Sequence, residues 1–302
     1  MAAATALCLL ACLPLQARAA APAAVVAPLP TTPAPEAGER ILVVAPHPDD
    51  ETLCCAGFVQ RALARGAQVS VVWITSGDAF ELDAVVVERT LAPGHRAMRT
   101  LAATRMREAL AATTRLGIAS DQRWFLGYPD RGIRRLLTDF QVRPYRSPYT
   151  AATAVPYAEA LAAGTAYEGR WLERDLRRII ERVQPTRVLA PSPLDLHPDH
   201  AAVGELVQRL MSARVASANV LYWIVHGGHR WPAPRRYAPT AQLQPPLHTR
   251  ALDWSSWPLT PAERDTKLAA LRLYRSQWEI MGPFMAAFAR GNELFTADAA
   301  AR

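Results

Sequence analysis

Lysine is almost missing from this chain of 302 residues. Lys267 is the only one, so the 34 Lys and Arg residues are nearly all arginine. Against 27 acidic residues they give a formal net charge of +7. A basic balance admits nucleic acid, a membrane surface or an acidic substrate as partner. No Lys/Arg-rich run flanked by aromatics is present, and no nucleic-acid motif, so nucleic acid is discounted and the charge is read as solvated helix faces. Cysteine is scarce too. Cys8 and Cys12 lie in an N-terminal leader; Cys54 and Cys55 are neighbours, cannot staple distant segments and are expected as buried thiols. The lack of any C-x-x-C excludes a thiolate zinc site. The lack of G-x-G-x-x-G and of a P-loop speaks against a nucleotide-binding protein. There is no internal repeat, and no apolar run long enough to predict an integral membrane span.

The leader reads "MAAATALCLLACLPLQARAAAPAAVV". Its apolar stretch, Ala2 to Leu15, is followed by the small-x-small pattern Ala17-Arg18-Ala19. Residues 1–20 are therefore expected as a signal peptide, and the protein as exported, periplasmic or extracellular. The leader has no Lys or Arg ahead of its apolar stretch, which leaves a start further upstream open. A second reading is lipoprotein anchoring at Cys12, within "LLAC". Residues 21–38, rich in Pro and Ala, read as a linker, and residues 39–302 as one folded domain.

Within that domain, strands alternate with helices. Ile41 to Ala45 is a continuous apolar run, as in a strand buried on both faces. Helices are expected over Thr52 to Arg65, Met98 to Leu116, Trp171 to Val183 and Ala201 to Ala213. Further strands are expected over Gln68 to Thr75, Thr186 to Ala190 and Asn219 to Val225, with a short one in "RWFLGYPD". Thr260-Pro261-Ala262-Glu263 opens a last helix running to about Ile280, with a capping box and proline at the first helical position. Asp130 to Gly169 reads as long loops. The pattern predicts an α/β fold: a Rossmann-like three-layer sandwich with a mainly parallel sheet.

In such folds, ligands bind at the carboxyl ends of the strands. "PHPDDE" follows the first strand, "SGD" (Ser76 to Asp78) the second, "PSPLDLHPDH" (Pro191 to His200) a later one and "HGGH" (His226 to His229) another. Five of the seven histidines thus fall at expected strand ends. A catalytic zinc takes about three His and carboxylate ligands and keeps one position open. His47, Asp50 and one of the later histidines supply that set. Either motif alone would also suit helix caps and loop residues; their joint appearance after strands favours a metal.

"APHPDDE" with the distal "HPDH" resembles the PIG-L (LmbE-like) family of zinc-dependent de-N-acetylases. "RMRE" (Arg105 to Glu108), "GYPDRG" (Gly127 to Gly132) and "KLAALRLYRSQ" (Lys267 to Gln277) extend the resemblance over roughly residues 40–295. It implies an LmbE-like fold and zinc held by His47, Asp50 and His200; ferrous iron suits the same ligands. It implies Asp49 as general base on a zinc-activated water. His197, protonated, would steady the oxyanion and protonate the leaving amine, with Asp199 orienting it. Arg105 would contact a sugar hydroxyl or an anionic substituent; its structural alternative is an i,i+3 ion pair with Glu108. Asp78 and Asp130 are expected to line the pocket or to form turns, and His226 to face the pocket. Tyr145, Tyr149, Tyr157 and Trp231 would stack on a sugar ring or pack proline-rich loops. Cys54 and Ala56 stand where family members often carry glycine.

The expected activity is metal-dependent removal of an N-acetyl or other N-acyl group from an amino sugar or glycoconjugate. The alternatives are an amidase on a non-sugar N-acyl conjugate and a carbohydrate-binding module without turnover. Intact His47, Asp49, Asp50, His197 and His200 speak against the module.

Overall fold

A computed structural model of the protein describes residues 28–88, 93–213 and 215–299. Its centre is a sheet of seven strands: β1 (Arg40–Ala45), β2 (Gln68–Thr75), β3 (Arg123–Tyr128), β4 (Arg187–Pro191), β5 (Asn219–Trp223), β6 (Trp254–Pro258) and β7 (Asn292–Thr296). Their spatial order is β3-β2-β1-β4-β5-β7-β6. The first five run parallel, and β7 runs antiparallel to both its neighbours. β1 lies in the middle, and Ile41 to Ala45 are fully buried, as expected of an apolar run covered on both faces.

Eight helices are described: α1 (Asp50–Ala64), α2 (Glu81–Glu88), α3 (His95–Arg115), α4 (Ile133–Thr138), α5 (Gly169–Val183), α6 (Pro198–Ser212), α7 (Pro261–Leu271) and α8 (Arg275–Ala286). α7 packs on both α1 and α3, and α4 packs on α5 and α6. α5 shows how the sequence selects its place: Leu172, Leu176, Ile179 and Ile180 form one buried stripe, while arginines fill its other faces. The result is the expected three-layer α/β sandwich. No helix among the described residues is long and apolar enough to cross a membrane.

Several expectations are corrected. The folded body starts before Glu39: Thr31 bridges Ser256, Pro30 and Thr32 exchange backbone hydrogen bonds with Ser256, and Thr32 is buried. These residues cover the edge strand β6, so the second part of the expected linker belongs to the domain. Residues 1–20, the expected signal peptide, lie outside the described residues. The last helix is two helices. Tyr274 leaves helical geometry (φ −78°, ψ 63°) and sends its hydroxyl to the buried carboxylate of Glu51. Cys54 and Cys55 are buried as expected but are joined to each other by a disulfide.

Strands β6 and β7 and helices α2 and α4 have no counterpart in the expected elements. β7 reads "NELFT", three of its five residues polar, yet all five are buried. Asn292 bonds Leu243 and Ser256; Glu293 accepts from the backbone N–H groups of Gly57 and Phe58 and pairs with Lys267. Partners distant in sequence satisfy these polar groups, and local pattern cannot reveal them. The 130–169 region holds α4 and an Ala154–Ala166 bridge, and buries Tyr145, Tyr157 and Tyr167.

Candidate active site

From β1 the chain passes to β2 on one side of the sheet; from β4, the neighbour of β1, it passes to β5 on the other. The connections after β1 and β4 therefore diverge and open a crevice at their carboxyl ends. "PHPDD" enters α1 from β1, and "SPLDLHPDH" enters α6 from β4. Two polar segments far apart in sequence meet there because adjacent strands end there.

Three side chains converge most closely. His47 Nδ1 lies 3.1 Å from His200 Nε2 and 3.4 Å from Asp50 Oδ2; His200 Nε2 lies 3.2 Å from the same oxygen. A cation with bonds of about 2.0–2.1 Å holds tetrahedral ligands about 3.3–3.4 Å apart, so the three atoms fit a zinc-sized ion. Asp50 also accepts the backbone N–H of His47 at 2.8 Å, which locks the turn. His200 and Asp50 are almost wholly buried.

Carboxylates surround this cluster. Behind His200, Asp195 Oδ2 lies 3.3 Å from Nδ1 and accepts the N–H groups of Val225 and His226. Behind His47, Nε2 lies 3.1 Å from Asp130 Oδ1 and 3.4 Å from Asp199 Oδ2. Burial alone would push both imidazoles down. Asp130, Asp199 and Asp50 instead hold His47 well above its usual range, and Asp50 and Asp195 raise His200 to about 9. Burial would push Asp50 up, but the charges of His200 and His47 hold it well below the carboxylate range. Carboxylates thus crowd the point where the three side-chain atoms meet, a negative setting that would suit a divalent cation.

Asp49 sits between the turn and α1 with φ 123°, a backbone region costly for any residue but glycine. It makes no side-chain cap to α1, which sets aside the capping alternative for this residue. Its carboxylate instead accepts from Gln277 of α8 and stands 4.0 Å from Arg105. Burial, then the neighbouring Asp50, raises its pKa well above the usual value. Arg105, on α3, is buried and donates to the carbonyls of Gly77 and Pro48. Gly77 has φ +67°, and a Cβ there would run into the guanidinium. The i,i+3 pair with Glu108 is not formed: Glu108 accepts from Ser276.

A cavity of about 190 Å³ opens over these groups. His47, Asp49, Asp50, Arg105, Asp130, Arg131, His197, His226 and Gln277 give it a polar floor, with Leu53, Phe80, Val225, Met281 and Phe284 as apolar walls. Among the expected substrate-binding residues, Arg105, Asp130 and His226 line it. Asp78 does not: it lies fully buried behind Asp130, accepting from the Asp130 N–H at 2.9 Å and from Tyr157 at 2.6 Å. Tyr145 and Tyr157 are buried as well, so they pack loops and are closed to a sugar.

The expected Asp199–His197 relation is also corrected. The Asp199 carboxylate accepts from the backbone of Arg131 (2.6 Å) and Ile133 (3.1 Å) and reaches His47. Its backbone N–H, not its carboxylate, meets His197 Nδ1, at 3.2 Å. Nor is His197 a resident cation: burial and the charges of His47 and His200 push it down to about 2. Asp195 was missed. It lies inside the quoted segment and buries both carboxylate oxygens, but only the folded chain places it behind His200.

The family model described as "PIG-L: GlcNAc-PI de-N-acetylase" matches residues 42–211, more than half the chain. The chain belongs to the PIG-L family. Among curated relatives, the 1D-myo-inositol 2-acetamido-2-deoxy-alpha-D-glucopyranoside deacetylase of Actinosynnema mirum is 33% identical over 189 residues, covering 62% of this chain and 58% of the relative. A probable N-acetyl-alpha-D-glucosaminyl L-malate deacetylase 2 of Bacillus anthracis is 26% identical over 175 residues, covering 57% and 59%. The match thus spans under two thirds of each of these PIG-L-type relatives. Among solved structures, the A40926 pseudoaglycone deacetylase Dbv21 superposes with a TM-score of 0.56 at 19% identity, over 85% of this chain and 96% of that one. A deacetylase of the teicoplanin pathway gives 0.55 at 17%, over 85% and 96%. At that identity the likeness establishes the shared LmbE-like fold.

Proposed function

We propose that the protein hydrolyses the N-acetyl amide of an amino sugar or its conjugate, with His47, Asp50 and His200 holding a zinc ion. The observation that carries this reading is the set of three ligand atoms within 3.1–3.4 Å of one another, with the Asp49 carboxylate turned to the same cavity. Zinc held by these residues would supply Lewis-acid polarisation of the amide carbonyl and a more acidic water. Asp49 takes the proton of the attacking water; burial and the neighbouring Asp50 raise its pKa, which makes it a stronger base than an exposed carboxylate. Gln277 and the buried Arg105 fix the carboxylate. His197 accepts the Asp199 N–H on Nδ1, so as a neutral ring it carries its hydrogen on Nε2 and donates it to the oxyanion that forms. Asp49 then returns its proton to the departing nitrogen; the C–N bond breaks, releasing acetate and the free amine. Arg105, Asp130 and Arg131 offer the charged contacts for sugar hydroxyls.

The curated relatives named above support an amino-sugar amide as substrate. The leader at residues 1–20 supports a reaction outside the cytoplasm, on an envelope or extracellular glycoconjugate. Recovery of the full-length protein solely from the cytoplasmic fraction would remove that part of the reading.

The test is amine release from N-acetylglucosamine and its glycosides by metal-stripped protein, before and after zinc or ferrous iron is restored. Release that depends on the metal is expected. No release with one metal bound per chain would redirect the search to non-sugar amides. No release and no bound metal would overturn the enzyme reading and leave a binding module.

A further inference from the structure

The catalytic cavity does not end at its apolar wall. A second cavity of about 330 Å³, larger than the first, opens between the segment after β5 and helix α8. The two share His197, Val225, His226, Met281 and Phe284 as lining, so they adjoin along these side chains. The ends differ in chemistry. Asp49, Arg105, Asp130, Arg131 and Gln277 crowd the first; Leu196, Trp231, Met281 and Phe284 dominate the second.

We propose that this second compartment is a subsite for an apolar or aromatic aglycone carried by the amino sugar, an inference that rests on the deacetylase reading above. Its wall is built in place. Trp231 donates from Nε1 to the Gln244 carbonyl at 2.8 Å, and its ring meets Phe288 edge-on at 5.5 Å. Gly227 lies against the face of that ring, where a side chain would collide with it. Phe284 continues the aromatic row onto Phe288 at 5.2 Å. A fixed aromatic wall binds a flat or aliphatic group with little ordering cost.

The one arginine of the compartment does not call for an anion. Arg235 lies over Phe284 at 4.5 Å and donates to the carbonyls of Trp231 (2.9 Å) and His229 (3.1 Å). Its donors tie the wall segment to itself. At the outer rim Leu196 is 58% exposed, an apolar side chain in water beside a groove that would cover it. The polar end suits sugar hydroxyls, and the acyl carbon must sit over the ligand atoms there. A substituent reaching the apolar end is then one that the sugar carries outward.

The experiment compares methyl and phenyl N-acetylglucosaminides, of each anomer, as substrates of the zinc-loaded protein, with a methyl N-hexanoylglucosaminide as the acyl-chain arm. Binding of methyl and phenyl glucosaminides, which hold no amide, is measured in parallel by calorimetry. The phenyl group is expected to raise kcat/KM and tighten binding by on the order of tenfold for one anomer. In Trp231→Ala and in Leu196→Asp the phenyl-to-methyl ratio should fall towards one. Leu196→Asp alters an exposed side chain and guards against a folding defect in the tryptophan variant. Equal handling of phenyl and methyl compounds, a phenyl preference that survives both substitutions, or a gain that follows the acyl chain would each overturn the subsite. A phenyl preference in binding with no amine released from any compound would instead strike at the deacetylase reading.

Discussion

Asp195 Oδ2 lies 3.3 Å from His200 Nδ1, while His200 Nε2, on the other side of the ring, faces Asp50 Oδ2 at 3.2 Å. One carboxylate thus stands behind the ring, and the other converges with its Nε2 on the candidate metal position. Asp195 itself is anchored by the backbone N–H groups of His197, Val225 and His226. It joins the loops after β4 and β5 at the point where the metal would sit.

Asp195→Asn should therefore weaken zinc binding by about 10–100-fold, as loss of an outer carboxylate partner does elsewhere. Competition with a chelating dye measures it. Unchanged affinity would show that the backbone alone orients His200.

Asp49→Asn should lower kcat for amine release by on the order of 10²–10⁴ while leaving one zinc bound, because Asp49 is turned towards Gln277 and Arg105 and is not one of the three converging ligands. Metal content and turnover are measured on the same sample. Loss of zinc along with activity would make Asp49 a ligand instead of a base.

Zinc binding should release protons. In the metal-free site Asp50 and Asp195 push His200 up to about 9, and its Nε2 shares a hydrogen bond with His47 Nδ1, so a proton held between the two rings must leave before both nitrogens can coordinate. Asp50 is held low and is already ionised. Affinity should rise by about tenfold or more per pH unit as pH increases towards the His200 value of about 9. Calorimetry in buffers of different ionisation enthalpy should count at least one proton released per zinc at pH 7. A count near zero would contradict the negative field described here.

Lys267 is the chain's single lysine, and it is buried. Its Nζ lies 2.7 Å from Glu293 Oε1 and donates to the Leu53 carbonyl at 2.8 Å. Removing one partner of a buried pair leaves a charge stranded, at a cost of about 3–5 kcal/mol. Lys267→Met should show that loss in urea unfolding, and Lys267→Met with Glu293→Gln should recover part of it. A single variant as stable as the parent would show that the N–H groups of Gly57 and Phe58 suffice for Glu293.

Much of this protein was legible before folding. The run Ile41 to Ala45 is apolar throughout, so it had to be a strand covered on both faces, and the motif behind it had to sit at a sheet end. The helical stripe of α5 and the capping box of Thr260 are local, and sequence alone determined them. So were the identities of His47, Asp49, Asp50, His197 and His200 as a group worth bringing together. What only the tertiary structure decided depends on partners far apart in the chain. Glu293 is a buried residue of β7 because Lys267 and two backbone N–H groups of α1 meet it. Tyr274 breaks the last helix because Glu51 waits for its hydroxyl. Asp195, Asp130 and Asp199 surround His47 and His200, and Asp78 stands behind Asp130, because β1 to β5 end side by side. Periodicity reports which side of an element faces inward; it does not report which buried charge that side will meet.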